Sequence, residues 1–101
     1  MTVEARPWFL YVVRCGDETL YTGVTVDVAR RVRDHNAGKG SAYTAARRPV
    51  SLVAVWGFEG QAAALRAERA FKRLSRQRKL DIIGNKKSFC GADMLSRETF
   101  R

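Results

Sequence analysis

Five residues of this chain have side chains whose types and order suit attack on a phosphodiester: Tyr11, Tyr21, Arg31, His35 and Glu68. A phenol or an imidazole can accept a proton from water. A guanidinium can hold two phosphate oxygens and offset charge developing on them, and a carboxylate can hold a divalent metal ion. His35, with an ordinary pKa near 6.5, can accept or relay a proton at neutral pH. A free phenol, with a pKa of about 10, is only about 0.1% ionised at neutral pH and needs a neighbouring cation to help it.

The elements that must position these groups are legible from pattern. Trp8 to Arg14 and Leu20 to Val26 are rich in β-branched and aromatic residues and are separated by Gly16-Asp17, the signature of a hairpin. A register symmetric about Asp17 or Gly16 sets odd positions opposite odd positions. Tyr11 and Tyr21 then share one sheet face beside Gly23, where the missing side chain leaves room for a phosphate or another backbone.

Asp27 predicts the N-cap of a helix running to about Asn36, with Gly38 as its stop. Four apart in that helix, Arg31 and His35 lie one above the other and can point at one target. Gly38-Lys39-Gly40-Ser41 reads as a flexible basic loop leading to Tyr43-Thr44, and Val50 to Phe58 as a third, largely buried strand. The alanine-rich run from Gly60 to Leu74 predicts a helix with Ala64, Ala67, Phe71 and Leu74 as its apolar stripe. Ser75 predicts the cap of a short basic helix to about Ile83, ended by Gly84, and a last short helix is expected from Asp93 to Glu98.

Composition bounds the partners. A chain of 101 residues with 46% hydrophobic residues supports one domain, 1–101, with a core over about 8–75 and a basic helical extension over 76–101. Its longest strongly apolar run, Trp8 to Val13, is too short to span a bilayer, and the N-terminal residues lack the apolar stretch of a signal peptide. A cytoplasmic protein away from membranes is expected. Cys15 and Cys90 predict reduced thiols, and with His35 as the single histidine they cannot build a zinc site. Nineteen Lys and Arg against 10 Asp and Glu give a formal charge of +9, so a polyanion is the first partner to consider.

The residues alone leave several roles open. Spacing makes Glu68 an i,i+4 ion-pair partner of Lys72, and Arg30, Arg31 and Arg33 cannot be told apart by chemistry. The order Phe9-Leu10-Tyr11, Tyr21-Thr22-Gly23, Arg31, His35 and Glu68 resembles the GIY-YIG nucleases over about Trp8 to Ser75, with the layout of their small stand-alone bacterial members. Leu10 and Thr22 stand in the isoleucine places of the family's name, and Phe9 replaces its first glycine.

The resemblance implies an α/β (α+β) fold, a small three-stranded, mainly antiparallel sheet flanked by helices. It implies a metal-dependent endonuclease acting on DNA, structure-selective and linked to repair or recombination. Tyr11 would be the general base, His35 a relay or phosphate donor, Tyr21 a positioning hydroxyl and Arg31 the transition-state cation. Glu68 would be the sole protein ligand of one Mg²⁺ or Mn²⁺ ion, with no small-molecule cofactor. An asparagine after that glutamate orients phosphate in many members; Asn85 is the candidate here, or simply the residue that ends a helix. Arg30, Lys39, Tyr43, Arg47, Arg48 and Lys72 would contact nucleic acid. A non-catalytic or partner-activated module binding DNA or RNA is the alternative.

Overall fold

The computed structural model describes residues 6–100, so most of the N-terminal stretch read above lies outside the described residues. The expected hairpin is built from β1 (Trp8–Arg14) and β2 (Leu20–Thr25), antiparallel and symmetric about Asp17: Tyr11 faces Gly23 and Val13 faces Tyr21. In the turn the left-handed residue is Glu18, at φ 72. The Asp17 carboxylate steadies it, accepting hydrogen bonds from the Thr19 N–H and hydroxyl at 3.2 and 2.6 Å.

The third strand, β3 (Ser51–Phe58), runs antiparallel along the other side of β1, giving a sheet ordered β2-β1-β3. As the central strand, β1 is covered on both faces, and Leu10, Tyr11, Val12 and Val13 are all buried. Opposite Val12 and Val13 sit Ala54 and Leu52, so Val53 is an extra residue in β3. This bulge turns Leu52 toward the face that carries Tyr11, Val13 and Val55.

That face is covered by α1 (Val28–Asn36). Asp27 caps it, its carboxylate accepting from the Arg30 N–H at 3.1 Å, a contact worth about 1 kcal/mol in helices of this kind. Val28 and Val32 pack toward the sheet, and Gly38 leaves the helix at φ 81, a conformation in which glycine avoids a steric penalty. The Asn36 side chain then fastens the helix end to the chain entering β3. Its Oδ1 accepts from the Val50 N–H at 2.7 Å and its Nδ2 donates to the Val50 carbonyl at 3.0 Å.

The expected flexible loop after Gly38 is instead tied down. Residues Ala42–Ala45 form one helical turn, α2, whose N-cap Ser41 accepts from the Thr44 N–H at 3.1 Å. The opposite sheet face packs against α3 (Gln61–Lys72) and α4 (Arg76–Gly84), with Leu10, Val12, Ala54 and Trp56 meeting Ala67, Phe71 and Ile82. Full burial of side chains such as Leu10 or Phe71 contributes about 1.5–3 kcal/mol each relative to exposure. The Ser75 cap forms as predicted, and Ile82 makes α4 part of the core.

The helix expected from Asp93 to Glu98 does not form. Met94 bridges to Trp56 and the Leu95 N–H donates to the Val55 carbonyl at 2.8 Å, so this segment serves the outer edge of β3. A short 3₁₀ helix follows at Arg97–Phe100, where Phe100 packs edge-on against Phe9 at 5.3 Å between centroids. Satisfying a strand edge outweighs the weak helix signal of residues 93–98. Cys15 is buried, Cys90 exposed, and both are free.

Candidate active site

On the α1 side of the sheet the chain gathers a buried polar cluster. The Tyr11 hydroxyl and His35 Nε2 are 2.8 Å apart, and His35 Nδ1 lies 2.7 Å from the Thr44 hydroxyl. Tyr11 is 1% exposed, and His35 and Thr44 are 0%. Three adjoining polar side chains at this depth are tolerated because each finds a partner, and among the described residues no buried side-chain polar atom lacks one.

Two close approaches make the cluster possible. A side chain at Gly23 would begin 2.5 Å from the Tyr11 hydroxyl, so the room beside this glycine, read above as open to a phosphate or another backbone, is taken by the tyrosine ring. A side chain at Gly40 would collide with the His35 imidazole, so the 38–41 segment lies directly on that ring. Arg31, one turn before His35, donates from Nη2 to the Gly40 carbonyl at 3.3 Å and also faces the Tyr11 phenol.

Electrostatics set the protonation states. Burial pushes the Tyr11 phenol above its usual pKa, and the Arg31 guanidinium only partly opposes it. Help from Arg31 toward a phenolate is therefore present and outweighed. Burial, and then the Arg31 charge, hold His35 below its usual value, so at neutral pH the imidazole is neutral and keeps one lone pair. A protonated phenol beside a neutral imidazole is an arrangement that can pass a proton inward.

The remaining expected residues fall into two sets. Tyr21 meets His35 edge-on at 5.1 Å between centroids, and Glu68 on α3 lies close enough for its charge to act on Tyr11. Glu68 also pairs with Lys72 at 3.6 Å, with side-chain exposures of 17% and 54%. Its carboxylate is thus half-buried and already balanced by a cation. No group of three or more His, Cys, Asp or Glu residues suited to a metal is present among the described residues. A half-buried carboxylate with one loosely placed cation suits a hard divalent ion that keeps most of its water and takes phosphate oxygens.

Tyr43, 37% exposed, is stacked on Tyr21 at 6.0 Å and covered on its ring by the Arg47 guanidinium at 3.7 Å. Arg47 is held in turn by Asp17 at 3.0 Å, and Arg48 donates to the Ala45 carbonyl at 3.0 Å. Arg30 and Lys39 are exposed. Asn85 is the C-cap of α4, with Nδ2 turned onto the Asp81 carbonyl and carboxylate at 3.0 and 2.8 Å.

Two residues have no site role in the sequence reading. Lys79 lines a recess of about 270 Å³ with Leu20, Tyr21, Thr22, Tyr43 and Lys72. Thr44 carries the second hydrogen bond of His35, and the one signal for it was Ser41 three residues earlier, a cap pattern.

Comparison with known proteins shows the family. The family model for the GIY-YIG catalytic domain matches residues 7–81. A UPF0213 protein of Streptococcus agalactiae serotype V is 49% identical over 82 residues, 81% of this chain and 93% of that protein. A UPF0213 protein of Haloquadratum walsbyi is 51% identical over 74 residues, 73% and 83% of the two chains. The solution structure of a UPF0213 protein from Bacillus halodurans superposes with a TM-score of 0.53 at 41% identity, covering 79% of this chain and 85% of that one. With its match running through both tyrosine strands, α1 and α3, this chain belongs to the GIY-YIG family of nucleases, in the group of small UPF0213 proteins.

Proposed function

We propose that the chain is a Mg²⁺- or Mn²⁺-dependent endonuclease that hydrolyses phosphodiester bonds in DNA, selective for branched or nicked structures and serving repair or recombination. The observation that carries this reading is the buried pair of Tyr11 and His35, 2.8 Å apart, with Arg31 beside the phenol. As a water attacks phosphorus, Tyr11 takes its proton while giving its own to the neutral imidazole. One P–O bond forms to the water oxygen, one breaks to the leaving oxygen, and solvent reprotonates the latter. Arg31 donates to the phosphate oxygens as their charge grows, which is worth about 3 kcal/mol for comparable groups. Tyr21 packs against His35 and fixes the ring's attitude.

Glu68 would hold the single divalent ion, which when bound supplies Lewis-acid stabilisation of the phosphoryl oxygens. Lys72 lies 3.6 Å from that carboxylate and balances its charge. Phosphate contacts fall to Arg30, Lys39, Tyr43, Arg47, Arg48 and Lys72 on a chain of net charge +9. Where these side chains bind the protein itself, as Arg47 does with Asp17, a phosphate must compete for their remaining donors.

One observation favours a second reading, a nucleic-acid-binding module that is silent until a partner acts. Tyr11 is 1% exposed, so water reaches it only after the site opens. A cleavage assay on labelled duplex, nicked, flap, branched and single-stranded DNA, and on RNA, with Mg²⁺ or Mn²⁺ separates the two. Cutting by the parent, and none by Glu68→Gln, is the outcome expected of an enzyme. Salt-sensitive binding without cutting in any metal would leave only the second reading.

A further inference from the structure

We infer that Thr44 is a positioning residue: as the buried residue of the turn α2 it accepts a hydrogen bond from His35 Nδ1–H, and so leaves Nε2 as the lone pair that takes the Tyr11 proton. This rests on the nuclease reading and adds to it a residue outside the family's name motifs.

A guanidinium can only donate, so toward Arg31 the Tyr11 oxygen is an acceptor and its own proton must go elsewhere. Tyr11 is 1% exposed, and the acceptor within reach is His35 Nε2 at 2.8 Å. A neutral imidazole that accepts at Nε2 must carry its hydrogen on Nδ1, which lies 2.7 Å from the Thr44 hydroxyl. Thr44 then accepts from the imidazole and donates onward to the Ser41 carbonyl at 3.3 Å. The Ser41 hydroxyl, 3.0 Å away, can donate to the same Thr44 oxygen. The hydrogens from Arg31 through Tyr11, His35 and Thr44 to the Ser41 carbonyl thus point one way, while the Ser41 hydroxyl meets the Thr44 oxygen from the other side, and each group's donors and acceptors are used consistently.

The local fold holds this order in place. Thr44 is 0% exposed, so no water competes for its hydroxyl. Ser41 caps α2 through the Thr44 N–H, fixing the threonine relative to the loop, and Gly40 lets that loop rest on the imidazole. In the opposite tautomer Nε2–H would donate to Tyr11, which would then receive two donors and have no inward path for its proton. Reaction would lose its acceptor although every residue stayed in place.

The chain has one histidine, so the imidazole signals are unambiguous. Nitrogen-15 NMR of the parent near neutral pH should show Nδ1 protonated and Nε2 bare. Thr44→Val, nearly isosteric, should lose this single tautomer and cut DNA about 10- to 100-fold more slowly at unchanged DNA affinity, the scale seen when an outer hydrogen-bond partner is removed. Thr44→Ser should restore both the tautomer and most of the rate, which separates a positioning role from a packing one. A cutting parent with Nε2 protonated, or a Thr44→Val variant cutting like the parent, would overturn the inference alone. A parent with the expected tautomer that cuts no nucleic acid would instead overturn the nuclease reading, and the role of Thr44 with it.

Discussion

Tyr11 and Gly23 face each other across β1 and β2, and the tyrosine ring fills the volume that a side chain at position 23 would require. Gly23→Ala therefore drives a methyl group into the phenol proposed as the proton acceptor. Overpacking of this kind costs about 1–3 kcal/mol of stability, and here the strain falls on the Tyr11 hydroxyl. We expect a folded, destabilised protein whose cleavage rate falls far more than its DNA affinity. Urea unfolding alongside single-turnover cutting would check both; cutting at the parent rate would mean that the hydroxyl need not sit where it does.

Glu68→Gln separates metal binding from folding. The pair with Lys72 joins residues that are 17% and 54% exposed, and an i,i+4 pair on an exposed helix face contributes about 0.3–0.5 kcal/mol before screening. Stability should thus hardly change, while cutting is lost and Mn²⁺ binding, followed by electron paramagnetic resonance, weakens. Unchanged Mn²⁺ binding would move the ion away from this carboxylate.

The fold was legible because its signals are local and repeated. β-Branched and aromatic residues in 8–14 and 20–26 marked the hairpin, with its centre open between Asp17 and Gly16 until the strands were seen to pair about Asp17, and Asp27 and Ser75 marked helix starts. The site residues were selected by the family resemblance that their order carries, and the structure brings Tyr11, Tyr21, Arg31 and His35 together, with Glu68 close enough to act on Tyr11. Three features were hidden. Four helical residues at Ala42–Ala45 are too few to show a period, so Thr44 was read as loop. The use of Gly23 and Gly40 depends on which ring lies over them, which composition does not reveal. Residues 93–98 answer to a strand edge more than 30 residues earlier in the chain, a demand invisible to local pattern.

Acid should act on His35 in two measurable ways. Its pKa is lowered by burial and by Arg31, so the folded protein resists protonation at a pH where the unfolded chain, titrating near 6.5, accepts it. The stability associated with the neutral ring is complete above about pH 6.5 and is lost as pH falls from there through the folded pKa. Asp17 and Asp81, lowered by Thr19 and by Lys87, titrate below the ordinary carboxylate range and leave this window clear. Unfolding free energy followed from about pH 7.5 to 5 should slope downward in the parent and flatten in His35→Gln. Cutting should fall along the same acid limb as Nε2 becomes protonated; a rate independent of pH there would remove His35 from the proton path.

Arg31 tests whether shape or charge matters more. Its guanidinium reaches both the Gly40 carbonyl and the phenol, a fork that one ammonium cannot reproduce. Arg31→Ala should cost about 3 kcal/mol of transition-state stabilisation, roughly a 100- to 1,000-fold loss in cutting rate. Arg31→Lys should recover only part of it. Full recovery by lysine would reduce the role of Arg31 to that of a point charge.

The recess between β2 and the helices gives the sharpest test of where nucleic acid lies. Lys72 and Lys79 line it with Tyr21 and Tyr43, whereas Asn85 is committed to Asp81 at the end of α4. A lysine that neutralises one phosphate lowers the slope of log affinity against log salt by about one when removed. Lys79→Ala should therefore weaken DNA binding and flatten that slope, with stability nearly unchanged. Asn85→Ala should leave binding and cutting alone and cost about 1 kcal/mol or less through its cap. The reverse pattern, a silent Lys79 and an Asn85 needed for cutting, would place the substrate along the far end of α4 and return the asparagine to the phosphate role that the family resemblance offers it.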